Sequence, residues 1–156
     1  MMRQFGRLRI ELVLCLVLCL MGLDAADSKA EFVGGTLSTF KIGQDGRLAL
    51  DQTDLLVFGS KQQKVTVLYN RIRSIEYGQK VDRRYISAIL ISPLFLLAKS
   101  RKHFLTVGYN DGEGRGQALI FRVAKGDVRS LLVGLEARTG RKVSFQDDEA
   151  RKAGKG

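Results

Sequence analysis

Tryptophan is absent from this chain of 156 residues, proline and histidine occur once each, and cysteine occurs only twice. Both cysteines, Cys15 and Cys19, stand in an apolar run near the N-terminus. If that run is removed, the rest of the chain has no thiol, which excludes disulfides and thiolate metal sites. The lone His103 makes a metal centre only with several carboxylates at ligand spacing, and no such spacing is present. Catalytic sets are missing as well. Ser74, Ser87, Ser92 and Ser144 lack a recognisable nucleophile context, and paired carboxylates fall on no common face. The loop Asp111–Gly116 has neither the long glycine spacing nor the Lys-Ser/Thr of a phosphate-binding loop, and it precedes a strand rather than a helix. The expectation is a protein that is not an enzyme, with no catalytic residues, no metal and no cofactor.

Acidic residues are also scarce. Sixteen of them face 26 Lys and Arg, giving a formal charge of +10, and such a balance favours anionic partners. Residues 1–26 read as a signal peptide or an uncleaved signal anchor. Arg3, Arg7 and Arg9 precede the apolar run Leu12–Leu23, and small residues follow at Ala25 and Ala26. Leu14 and Leu18, not small residues, precede the two cysteines, which argues against a lipoprotein. Cutting after Ala26 lowers the charge only to +9, because Glu11 and Asp24 leave with the three arginines. The basicity therefore belongs to the domain. Its expected location is across, or anchored in, the cytoplasmic membrane, in the periplasm or cell envelope. Nucleic acid is not the expected partner, since most aromatics fall on inward faces and none are interleaved with Lys and Arg on an open sheet face.

Short strands dominate the rest. Glu31–Ile42 reads as extended and Gly43–Gly46 as a turn. Arg47–Asp51 alternates, Leu55–Gly59 is a short apolar strand, and Lys64–Tyr69 alternates with Val65, Val67 and Tyr69 inward. The spacing of Ile72, Ile75 and Tyr77 predicts one helical turn leading into a strand. After the insert described below, His103–Tyr109 and Gln117–Val123 flank a hairpin loop, Asn110–Gly116. Asp127 is placed to cap a helix that ends at Gly140, with Val128, Leu131, Leu132 and Leu135 as its apolar stripe. Lys142–Phe145 is a last short strand, and residues 146–156 read as a disordered tail. The acidic group Asp147–Glu149 reads as solvated charge in that tail.

The stretch Tyr85–Ala98 interrupts this pattern. It is uncharged and apolar, carries Pro93 in its middle, and is bracketed by Arg83-Arg84 and by Lys99, Arg101 and Lys102. A bilayer-spanning helix needs about 20 apolar residues, so a run this short suits a core, interfacial or re-entrant segment. Proline breaks or kinks a helix, which suggests two short helices or one kinked helix within an insert over residues 81–100.

Seven strands followed by one amphipathic helix is the order of a pleckstrin-homology-like barrel. The segments Gly46–Asp51, Leu55–Phe58, Val65–Tyr77, His103–Val107 and Leu119–Phe121 resemble the bacterial PH and GRAM type. The likeness covers residues 31–145. It implies a mainly β fold with one C-terminal α-helix: about seven strands in two bent sheets, the helix plugging one open end, and the apolar helical insert between strands 5 and 6. Members that bind phosphoinositides carry a basic pattern around the first hairpin. Lys41 and Arg47 stand there, but Ala49 occupies the place of the final basic residue.

Two functions follow as expectations. One is a non-enzymatic interaction module at a membrane surface or anionic lipid, touching it through Arg83, Arg84, Ile89, Leu90, Leu94, Phe95, Lys99, Arg101 and Lys102. The other is a protein-binding or self-assembling scaffold, in which the insert is a buried interface with a protein partner or a second copy.

Overall fold

A computed structural model describes residues 27–50, 54–61, 63–80, 90–91 and 102–155. The N-terminal apolar run and most of the insert lie outside them. Among the described residues the chain is mainly β. Its strands are β1 (Asp27–Gly35), β2 (Gln44–Ala49), β3 (Leu55–Gly59), β4 (Lys64–Leu68), β5 (Ile72–Gly78), β6 (Leu90–Ile91), β7 (His103–Asn110), β8 (Gly116–Val123) and β9 (Val143–Phe145). Helices α1 (Val128–Thr139) and α2 (Asp148–Lys155) follow β8 and β9. The turn expected before β5 is a 3-10 turn at Tyr69–Arg71.

One sheet runs in the order β4-β3-β2-β1-β8-β7-β5-β9, with β6 added to β1. The expected barrel is replaced by an open sheet. The reason lies at β5, whose outer edge along Ile75–Tyr77 is occupied by β9 in parallel register. That edge is therefore closed to β4. The α1–β9 connection is held for this pairing. Gly140 takes a left-handed φ of 65° and its N–H donates to the Glu136 carbonyl at 2.9 Å. The Val143 N–H donates to Glu136 Oε1 at 2.8 Å, and Arg141 Nε donates to the Ile72 carbonyl at 2.5 Å.

The first strand also differs from expectation. Residues 31–42 are not one strand, because β1 ends at Gly35 and a loop carries Phe40 back into the core. Phe40 joins Phe32, Phe58 and Phe121 in an aromatic cluster, with Phe40–Phe58 centroids 5.0 Å apart and Phe58–Phe121 centroids 4.8 Å apart. The stripe Val128, Leu131, Leu132 and Leu135 is buried as the 3.6-residue period requires. Asp127 starts the helix without a side-chain cap; its carbonyl instead accepts a bond from Ser130 Oγ at 3.0 Å.

A second buried surface lies on the other face of the sheet. Along β7 and β8, Leu105, Val107, Leu119 and Phe121 belong to the main core. Strand alternation turns Phe104, Thr106, Ala118 and Ile120 the opposite way, yet all four are buried. Beside them, β6 pairs with the end of β1, Gly34 opposite Ile91 and Gly35 opposite Leu90.

Residues 148–155, expected to be disordered, form α2. The acidic group has a local purpose there. Asp147 Oδ1 accepts the Ala150 N–H at 2.7 Å, which caps the helix. Asp148 and Glu149 sit in its first turn and Lys152 and Lys155 in its last, each sign matching the helix dipole. Only small residues bring this helix close to the sheet: Ala150 is fully buried. A Cβ on Gly154 would lie 2.7 Å from Phe145, 3.1 Å from Leu132 and 3.3 Å from Tyr77. Replacing Gly154 with valine is expected to lift α2 off and cost about 1–3 kcal/mol, the usual range for overpacking. Amide hydrogen exchange is the check. Protection should fall in α2 and β9 while β1–β3 keep theirs, and unchanged protection in α2 would refute the close packing.

Candidate basic groove

A groove of about 880 Å³ crosses the sheet face opposite the main core, from the β3–β4 turn over β2 and β1 to the end of β8 and the start of β7. The alternation of each strand places its charged residues there. Lys29 and Glu31 come from β1, Asp45 and Arg47 from β2, and Arg122 from β8, while Lys61 and Lys102 stand at its two ends. Register then decides who meets whom. Glu31 lies opposite Arg122 on one side and Asp45 on the other, and Lys29 lies opposite Arg47.

Ion pairs organise this face. Glu31 pairs with Arg122, and the carboxylate side chain is only 10% exposed. At the edge, Arg47 Nη1 donates to Asp27 Oδ2 at 2.7 Å with both side chains largely open to solvent, so that pair contributes little stability. The turn carrying Lys61 is tied to β2. Gln44 Nε2 donates to Ser60 Oγ at 2.7 Å, and the Ser60 N–H donates to the Gln63 carbonyl at 2.8 Å.

His103 forms part of the wall where the chain leaves the insert. Its Nδ1 is bonded to the Tyr77 hydroxyl. Burial pushes that hydroxyl up to about 12, so Tyr77 keeps its proton at neutral pH. Burial, with help from the nearby Lys125 charge, pulls the His103 pKa below its ordinary 6.5. A base with a depressed folded pKa contributes stability fully above its unfolded value and loses it as pH falls through the folded one. Melting temperatures measured between about pH 7.5 and pH 5 should therefore drop more for the native chain than for His103→Gln. Parallel pH curves for the two would show that His103 does not titrate with unfolding.

Far from the groove, the β7–β8 hairpin is organised by Asp111. Its Oδ1 accepts the N–H groups of Glu113 and Arg115, both at 2.9 Å, and its Oδ2 accepts Arg115 Nε at 2.9 Å and Gln117 Nε2 at 3.0 Å. The Arg115 side-chain bond, then the other donors, holds the carboxyl far below the usual carboxylate range. This loop is a stapled hairpin.

Of the contact residues expected from the sequence, Lys102 lines the groove, and Leu90 is placed by its backbone in β6. Arg83, Arg84, Ile89, Leu94, Phe95, Lys99 and Arg101 lie outside the described residues. Lys29, Arg47, Lys61 and Arg122 were not singled out together. Lys29, Arg47 and Lys61 come together through the successive β1–β2 and β2–β3 pairings, while Arg122 joins them through β1 pairing with β8 across most of the chain, which no local spacing encodes. Among the described residues no three His, Cys, Asp or Glu side chains come together as a metal site, and no helix is long and apolar enough to cross a membrane. No protein-family model and no curated protein matches the chain.

Proposed function

We propose that this chain is a non-enzymatic interaction module that works at a membrane surface, exported or anchored through residues 1–26 and built on a PH-like sheet. The sheet order β4-β3-β2-β1-β8-β7-β5 followed by an amphipathic helix supports the family resemblance. The observation that carries the functional reading is the position of the groove. Lys102, at the basic end of the apolar insert, lines the same groove as Lys29, Arg47 and Lys61. A cationic face and an apolar segment side by side fit an anionic, greasy interface. Among the described residues the large exposed apolar side chains are Ile42 and Val133, on separate elements, so the apolar contact in this reading comes from the insert.

Vesicle sedimentation tests this directly. A chain beginning at Asp27 should pellet with phosphatidylglycerol vesicles and stay in solution with phosphatidylcholine vesicles. A soluble monomer indifferent to both overturns the reading.

One observation favours a scaffold as the second reading. Leu90–Ile91 add to the edge of β1 at Gly34–Gly35, a stretch whose other edge pairs with the buried Ile120 and Leu119 of β8, as an insert folded onto the sheet or onto a neighbouring copy would. A chain that ignores vesicles and sediments as a dimer would favour it.

A further inference from the structure

We infer that the outer edge of β4 is an interface on which a second copy of this chain pairs its own β4, antiparallel across a two-fold axis at Thr66. The inference stands apart from the membrane reading. It differs from the scaffold reading in placing the contact on β4 instead of the insert.

Two bonds fix which way the backbone of β4 faces. The Tyr69 N–H donates to the Asp54 carbonyl at 2.9 Å, and the Ser60 N–H donates to the Gln63 carbonyl at 2.8 Å. In an antiparallel ladder, opposite residues alternate between bonded and non-bonded pairs. Leu56 stands opposite Val67 and Phe58 opposite Val65, so Val65 and Val67 turn their N–H and C=O groups to β3. Lys64, Thr66 and Leu68 turn theirs away from the sheet. Among the described residues no further strand pairs with that edge, and the Lys64 and Thr66 side chains beside it are exposed.

Proteins blunt such edges with proline, a bulge or charge. In β4 the sequence is Lys-Val-Thr-Val-Leu, without proline, and its register with β3 is unbroken. Its central residues are all β-branched, which suits a strand. Its one charge is at the end.

The register names the occupant. A two-fold at Thr66 sets Thr66 against Thr66, Val65 against Val67 and Lys64 against Leu68. Every outward backbone group of β4 is then paired. Sliding the copies by two residues leaves either Leu68 or Lys64 unpaired within the strand. Threonine and β-branched pairs directly opposite each other stabilise a sheet. The two Lys64 residues end up about 14 Å apart along the strands, at roughly 3.4 Å per residue, which is beyond a Debye length of about 10 Å. Each lays its apolar stem on the half-buried Leu68 of the other copy. An unrelated peptide added as a strand draws its specificity from pockets for alternate side chains, and the groove stops at Lys61 without reaching β4.

The test uses the full chain in uncharged maltoside micelles, with sedimentation at matched detergent density and residue-resolved amide exchange. The expected result is a dimer. The Lys64, Thr66 and Leu68 amides should be protected at high protein concentration and exchange freely on dilution, while Val65 and Val67 stay protected throughout. Thr66→Pro removes an N–H that the β3–β4 ladder does not use, a place where an edge strand accepts proline. Thr66→Lys sets like charges opposite each other. Each should raise the dimer dissociation constant at least about tenfold, with protected Val65 and Val67 amides confirming that the strand is still folded. A chain that is monomeric at every concentration overturns the inference. So does a dimer whose outward amides exchange freely, or one that both variants leave intact, since its contact lies elsewhere, as the scaffold reading has it. Outward amides protected in a monomer and unchanged on dilution would put a segment of the same chain on the edge, and would overturn it too.

Discussion

Replacing Phe58 with alanine should lower the stability of the domain by about 3–5 kcal/mol, the usual cost of deleting a buried phenyl group. The ring is 1% exposed and sits at the centre of the aromatic cluster. Its centroid lies 5.0 Å from Phe40, 4.8 Å from Phe121 and 6.4 Å from Phe32. Each such pair adds about 0.5–1.5 kcal/mol beyond the area it buries. Above the ring the backbone of β2 leaves no room, since a Cβ on Gly46 would come 2.6 Å from both Phe58 and the Gly59 carbonyl oxygen. The site therefore cannot collapse easily from the β2 side, and the cavity term should be near the upper end. Domains of this size are stable by only about 5–15 kcal/mol, so the variant should be close to unfolding at physiological temperature. Urea denaturation is the measurement. A shift in stability below about 1.5 kcal/mol would show that the four rings are not packed as described. Phe58→Leu, which keeps most of the volume, should lose far less.

Much of this architecture was legible because it is periodic. The alternation through Lys64–Leu68, His103–Asn110 and Gly116–Val123 placed three strands within a residue or two of their ends, and the stripe Val128–Leu135 with Gly140 placed α1. Two kinds of feature escaped. Phe40 belongs to the core through a loop, where no period marks it. The helix Asp148–Lys155 has only small residues, Ala150 and Gly154, on its buried face, so hydrophobicity gave no stripe to find; the cap at Asp147 was the one local signal. Closure of the sheet into a barrel was expected from strand number and family likeness. The parallel partner of β5 is a three-residue strand far along the chain, and its effect on the β5 edge exists only in three dimensions. The groove escaped for the same reason. Glu31 and Arg122 are ninety-odd positions apart and meet through the β1–β8 register.

Salt should separate the two forces that the membrane reading assigns to the insert. Burying a large aliphatic or aromatic side chain gains about 1.5–3 kcal/mol and hardly depends on ionic strength. A Lys or Arg near an anionic leaflet adds about 1 kcal/mol, and salt screens it within a Debye length of roughly 8–10 Å. Changing Arg83, Arg84, Arg101 and Lys102 together to glutamine should therefore weaken binding to phosphatidylglycerol vesicles by roughly two to three orders of magnitude at low salt. What binding is left should respond less to added salt. Changing Leu90 and Phe95 to aspartate should abolish binding at every salt concentration, because it removes apolar area and adds charge that must be desolvated. Leu90 also pairs through its backbone with Gly35, so Phe95→Asp alone is needed beside the double change, with melting temperatures measured for both. If Phe95→Asp binds vesicles as tightly as the native chain at high salt, the insert is not the apolar anchor. The quadruple glutamine variant would then show whether the basic face alone accounts for the binding.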